Sequence, residues 1–256
     1  MNRPIRAGDY VEHFDPELPH HRAWLQAVLE QLVGHDPQAL EEGGTLRRLW
    51  TQHKEDTLAA ATGNRYPNPL AGVPCFQQRD SAQRSQRDRS CFSSSCAMLL
   101  EAIRPGTLPG SNGDDAYLAV VQRYGDTTDA NAQLQALAHY GVHAQLLQDA
   151  DFGMIEQQIA RGIPIPCGYI HRGPVERPTG SGHWLVVIGH TPTHLVVNDP
   201  WGEPDLLSGA TLNAHGMGLR FSRRNFGRRW MVQPIGGGAY RYAPGKGWAV
   251  VLSGAS

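Results

Sequence analysis

Apolar residues recur at helical spacing in the first third of the chain and in short continuous runs in the last. Trp24, Leu25, Val28, Leu29 and Leu32 fall on one helical face that Gly34 ends. Asp36 and Pro37 read as the cap and first position of a second helix, and "TLRRLWTQHKEDTLAAATG" as a third, closed by Gly63. Pro67, Pro69 and Pro74 then break the pattern, so a boundary near residue 70 is predicted. It separates a small N-terminal helical region, 1–70, from a larger domain, 71–256. Beyond it, "VPCFQQRD" reads as a short strand and "SAQRSQRDR" as a loop. A helix over 91–103 ends ahead of Pro105. "DDAYLAVVQRYG" and "DANAQLQALAHYG" are helices with acidic starts and glycine stops. "HAQLLQ" is strand-like and "DFGMIEQQIARG" a short helix. "IPIPCGYIH", "HWLVVIGH" and "HLVVNDP" are β-branched runs between Gly and Pro turns. Helices first and strands later predict an α+β fold.

Composition narrows the function. With 256 residues and 40% hydrophobic content the chain can build a sizeable core, and 29 glycines and 18 prolines imply many turns. A net charge of −1 argues against nucleic acid as a partner, and no apolar run reaches membrane-spanning length. The start "MNRPIRAGDYVEHFDPELPHH" has no apolar core of a secretory signal, so a cytoplasmic protein as synthesised is expected. Cys75, Cys91, Cys96 and Cys167 form no CxxC pair, which disfavours a zinc ribbon and leads us to expect free thiols.

One cysteine is placed differently from the others. In "RSCFSSSCAMLLEAIRPG", Cys91 opens the predicted helix, where unpaired N–H groups and the macrodipole favour a thiolate, and Arg87 and Arg89 lie nearby. Cysteines are usually small buried hydrophobes, and Cys75, Cys96 and Cys167 fit that role in apolar surroundings. A thiolate nucleophile needs a base, and His183 in "GSGHWLVVIGH" stands between glycines at the head of an apolar strand. The base needs an orienting acceptor. A hairpin through "TPT" brings Asn198 or Asp199 back beside His183, and strand alternation allows only one of them to face it. His190 and His194 flank the turn at the far end, so no metal is expected. There is no GxSxG elbow, and "GGG" at 236–238 lacks a phosphate-loop context, so no cofactor is expected either.

The ordered set "VPCFQQRDS…SCFSSSCAMLLEAI…GSGHWLVVIGH…LVVNDP" resembles the C39-like branch of the papain-like cysteine peptidases, over residues 73 to about 201. The tail "LRFSRRNFGRRWMV…GWAVV" is similar to the C-terminal portion of phage-associated members. The resemblance implies a papain-like fold, a helical lobe with an antiparallel sheet. It makes Cys91 the nucleophile, His183 the base, Asp199 the orienting group and Gln78 the oxyanion donor, with Gln77, Gln83 and Gln86 as alternatives on the same loop. Phe92 departs from the glycine or asparagine common after the cysteine and would narrow the cleft. The expected function is hydrolysis of amide bonds in a peptide or peptidoglycan substrate, as in a phage lysin that reaches the cell wall during lysis. A protein-processing C39-like protease and an inactive papain-like module are the competing readings. Arg172 and Arg177, in the loop before His183, would suit an acidic substrate.

Overall fold

The computed structural model describes residues 66–253. The helices expected before residue 66 lie outside the described residues. Five α-helices and ten strands follow, all strand pairings being antiparallel. Helix α1 (Cys91–Ile103) is the centre of one lobe. Every side chain from Phe92 to Leu100 is buried, so the helix is enclosed on all sides rather than amphipathic. Its Ser93, Ser94, Ser95 and Ala97 are small enough to let α2 (Gly113–Val121) and α3 (Ala130–His139) approach closely. Buried hydroxyls require partners. Ser93 Oγ lies 2.8 Å from Thr127 Oγ1 and accepts from Gln133 Nε2 at 2.8 Å, and Ser94 donates to Asp114 at the start of α2.

The sheet runs β1 (Ala144–Ala150), β10 (Gly247–Leu252), β2 (Ile165–Arg172), β3 (Thr179–His190), β4 (His194–Asn198), β7 (Leu219–Ser222), with the β8 (Val232–Gly236)–β9 (Ala239–Tyr242) hairpin joined to β3. A separate pair, β5 (Glu203–Pro204) and β6 (Thr211–Asn213), lies in the connection from β4 to β7. Alternation along β3 divides the core. Val186 and Ile188 face the α1–α3 lobe, while Leu185 and Val187 face the other side, covered by α4 (Phe152–Ala160) and α5 (Arg223–Trp230). Each such fully buried side chain contributes about 1.5–3 kcal/mol. Among the described residues no helix is long and apolar enough to cross a membrane.

Two local expectations differ. "VPCFQQRD" makes no ladder. Pro74 has no N–H to give, and the segment is instead held by Asn198 Nδ2 on the carbonyls of Val73 (3.3 Å) and Pro74 (3.0 Å) before a 3-10 turn, Gln78–Asp80. Helix α5, "RRNFGRRW", was not expected. Its apolar signal is only Phe226 and Trp230, one turn apart, and between them the fully buried Arg229. That guanidinium group donates to the carbonyls of Leu206 (2.7 Å), Ile170 (3.1 Å), Arg172 (3.2 Å), Gly173 (2.6 Å) and Leu207 (3.4 Å). It ties the end of β2 and the 206–207 turn to α5 through these hydrogen bonds.

Arg229→Met should therefore lower the unfolding free energy by about 3–5 kcal/mol in urea denaturation, because carbonyls lose a shared donor. A loss below about 1 kcal/mol would mean that water replaces the guanidinium. A second expectation concerns Asp114. Burial first, then the neighbouring Asp115 and Asp80 charges, push its pKa from 3.8 up to about 6, against the Ser94 bond. The folded protein holds this proton more tightly than the unfolded chain. The stability it contributes is complete below 3.8 and is lost as pH rises through about 6. Asp114→Asn should thus gain in Tm relative to the natural protein between pH 4 and pH 7 (about the span of those two values), and a parallel pair of Tm profiles would refute it.

Candidate active site

Cys91 is the first residue of α1 and half-buried, whereas Cys96 and Cys167 are buried, and all four cysteines are free thiols. Burial pushes the Cys96 and Cys167 thiols far up. Cys75 is pushed up to about 11, by burial chiefly and by the Asp199 charge, against a hydrogen bond from Gln77. These three are poor candidates for a thiolate at neutral pH.

His183 lies inside β3, four residues after its start at Thr179, rather than at the strand's head. It pairs in register with Tyr169 of β2. The hairpin turn returns β4 alongside, with Asn198 opposite Val186, and Asp199 follows the strand directly. His183 Nε2 lies 2.7 Å from Asp199 Oδ1. Asn198 turns away. Its amide holds Val73 and Pro74, and its Oδ1 accepts from Gly218 N at 2.9 Å. Of the two alternatives left by alternation, Asp199 faces the histidine.

The Asp199 carboxylate is fully buried and meets three donors: His183, the Trp201 N–H at 2.8 Å and the Tyr169 hydroxyl at 3.2 Å. Burial, helped by the Asp199 charge, keeps the Tyr169 phenol well above its ordinary value, so it donates as a neutral group. With Nε2 committed to Asp199, the other ring nitrogen of His183 is left for the Cys91 sulfur, which lines the same cleft. Burial acts to lower the His183 pKa. The Asp199 and Cys91 charges and their hydrogen bonds outweigh it, and the ring is pushed up to about 10. An imidazolium between a carboxylate and a sulfur is what a thiolate–imidazolium pair requires.

Gln78 is buried beside them in the same cleft. Its Nε2 gives one hydrogen to the Arg87 carbonyl at 2.8 Å and retains a second. Gln77, Gln83 and Gln86 do not line the cleft; Gln77 reaches Cys75 and Gln83 pairs with Gln122. Phe92 lines the cleft wall beside Cys91. Only 3% exposed, its ring stacks on Trp184 with centroids 3.7 Å apart and planes 2° from parallel. The residues following Cys91 and His183 are thereby locked face to face. A Cβ at Gly168 would come 2.9 Å from the Trp184 ring, so glycine there makes room for the stack. Arg172 lines the cleft and Arg177 does not. Sequence reasoning missed Tyr169, Trp201, the Phe92–Trp184 stack and His171, whose ring centroid lies 5.6 Å from that of His183. The strand pairing of Tyr169 with His183 is the one of these that a predicted β2–β3 hairpin could have indicated.

A helical lobe, an antiparallel sheet and a cleft joining a helix-opening cysteine to a strand histidine define the papain-like α+β class. The model of the Peptidase C39 like family matches residues 70–206, more than half of the chain, and the chain belongs to that family of cysteine peptidases. None of the curated proteins compared with it matches. Among solved structures it is similar to the peptidase domain of Streptococcus ComA, a bi-functional ABC transporter involved in a quorum-sensing pathway, at 17% identity and TM-score 0.42, covering 71% of this chain and 98% of that one. It is also similar to a putative C39-like peptidase from Bacillus anthracis, at 16% identity and TM-score 0.45, covering 73% and 97%.

The electrostatics can be read directly. By NMR, the His183 ring should stay protonated through neutral pH and titrate near 10. Asp199→Asn, which removes the charge and keeps an acceptor, should lower that midpoint by at least about one unit. An unchanged midpoint would show that Asp199 does not set it.

Proposed function

We propose that the protein is a thiol amide hydrolase in which Cys91 is the nucleophile, His183 the acid and base, Asp199 the group that orients and charges His183, and Gln78 an oxyanion donor. The observation that carries this reading is the single cleft in which a helix-opening thiol meets a buried imidazole bonded to a buried carboxylate. The Cys91 sulfur attacks the amide carbon, and the carbonyl electron pair moves to oxygen. The second N–H of Gln78 and the Cys91 backbone N–H, which has no intrahelical partner, hold that oxygen. As the carbonyl re-forms, the C–N bond breaks and His183 gives its proton to the leaving amine. Water then attacks the thioester and passes a proton to His183. The C–S bond breaks, releasing the acid and restoring the sulfur as thiolate.

For the substrate, we favour cell-wall peptide, with the protein acting as a phage-type lysin released to the wall during lysis. Support comes from the cationic Arg172 on the cleft, since peptidoglycan stems carry free carboxylates.

Cys91→Ala should fold and be inert, and His183→Ala should lose roughly 10⁴-fold in kcat/KM, with Asp199→Asn losing less. Retained turnover in Cys91→Ala would overturn the mechanism. Purified peptidoglycan should release soluble fragments bearing new amine and carboxyl ends, read by mass. Cleavage of casein without any release from peptidoglycan would replace the lysin reading with general or processing proteolysis.

A further inference from the structure

Three charged side chains on the cleft, Asp88, Arg89 and Arg172, take no part in the bond-breaking steps above. Arg172 ends β2, and among the described residues no carboxylate pairs with it. The other charges differ. Arg89 is paired with Asp126 at 2.8 Å and Asp199 with His183, while Asp88 adds one anion to the lining.

The surroundings hold Arg172 ready. A Cβ at Gly180 would lie 3.4 Å from Arg172 Cδ, so the aliphatic stem rests against bare backbone of β3. Arg172 Nε donates to His171 Nε2 at 3.2 Å. His171 accepts there because its Nδ1, 3.0 Å from the Ser181 carbonyl, must carry the ring's proton. Burial, reinforced by the charge of His183, pushes the His171 pKa down to about 4, so the ring is a neutral acceptor at neutral pH. The backbone is equally fixed. Buried Arg229 donates to the Arg172 and Gly173 carbonyls at 3.2 and 2.6 Å. The Gly209 backbone presses on the same segment, where any Cβ would meet the His171 oxygen at 2.5 Å.

A guanidinium whose Nε is bound to a neutral nitrogen keeps its full charge. Among the described residues both terminal NH₂ groups have no partner, leaving the fork that matches a carboxylate. Its stem and backbone are already ordered, so little conformational entropy remains to be lost on binding. We infer that Arg172, steered by His171, is a carboxylate subsite of the cleft, taking an acidic side chain or a free main-chain carboxyl of a peptide near the scissile amide. This deepens the hydrolase reading and rests on it only where cleavage is the readout.

The test uses the full chain and peptides it cleaves from a proteome-derived library. In each, every Asp or Glu is changed to Asn or Gln and the C-terminus is amidated, one change at a time. One position should favour the carboxylate member by about ten-fold or more in kcat/KM, side-chain and terminal replacements telling which carboxyl is bound. Arg172→Gln should bring that ratio near one, Arg172→Lys should keep part of it, and His171→Gln, which retains an acceptor, should keep more than His171→Phe. A ratio near one in the natural protein, or an equal ratio in Arg172→Gln, overturns the subsite. Cleavage that survives Cys91→Ala overturns the catalytic reading instead. Should no peptide be cut, titration with N-acetylglycine and with N-acetylglutamate α-amide decides: the Arg172 Nε–H resonance should shift saturably with at least one and with neither neutral amide analogue. Equal shifts from acid and amide overturn the proposal.

Discussion

A carboxylate with no exposed surface is the most demanding group in this domain, and much of the architecture answers it. An isolated buried charge costs several kcal/mol, so Asp199 is tolerable only where donors converge on it. Those donors come from β2 (Tyr169), β3 (His183) and the turn after β4 (Trp201 N). All three strands must therefore be in register for the carboxylate to be satisfied, and a slip of one residue would turn His183 to the other face. The backbone is equally committed. Asp199 N donates to Gly216 O at 2.8 Å, and a Cβ at Gly216 would sit 1.9 Å from the Asp199 backbone carbonyl oxygen. Only glycine can stand there while the 216 loop closes on the strand end. Such a pair adds little net stability compared with apolar packing, but it fixes a geometry. Its charge is also what holds the imidazole protonated.

Cys91 belongs to the helical lobe and His183 to the sheet, so their meeting depends on how the lobes are pinned. Two devices do this. Phe92 and Trp184, one residue beyond Cys91 and His183 respectively, stack across the boundary. Behind Gln78, a relay of hydrogen bonds runs from its amide to Arg87 O (2.8 Å), from Arg87 Nε to Ser81 O (2.7 Å), and from Ser81 Oγ and Ala82 N onto the Asp115 carboxylate of α2. The polar "SAQRSQRDR" segment is thus a braced loop whose side chains hold it against the helical lobe.

Legibility in the sequence tracked how local each determinant is. The span 91–103 was readable because Pro105 bars extension and the apolar run inside is continuous, and the observed helix keeps those bounds. The β3–β4 hairpin was readable from two β-branched runs around one turn, and with it the proximity of His183 to residues 198 and 199. The choice between Asn198 and Asp199 was not readable from the strand alone, because alternation fixes opposite faces without saying which face is which. Helix α5 was hidden because its burial comes from a buried cation satisfied by carbonyls distant in sequence, a pattern that reads as polar surface. "VPCFQQRD" misled for the converse reason. Its apolar composition is real, but its partner is the side chain of Asn198, not a strand edge.

Arg172 and Arg229 show how two identical side chains acquire unlike roles from one backbone segment. Arg229 is enclosed and directs all its described donors to carbonyls, two of them on residues 172 and 173, and burial lowers its pKa below the ordinary arginine value. Its donors are taken up in holding the strand end. Arg172 rises from that strand end into the cleft with one donor bound to a neutral imidazole and no counter-charge among the described residues. One cation is enclosed within the protein so that another can be held still outside it. If both arginines faced solvent, the loop before His183 would have to be ordered by the substrate itself, and that ordering cost would come out of binding. Because the order is already present in the fold, the binding free energy of a carboxylate at Arg172 remains available to place an amide against Cys91.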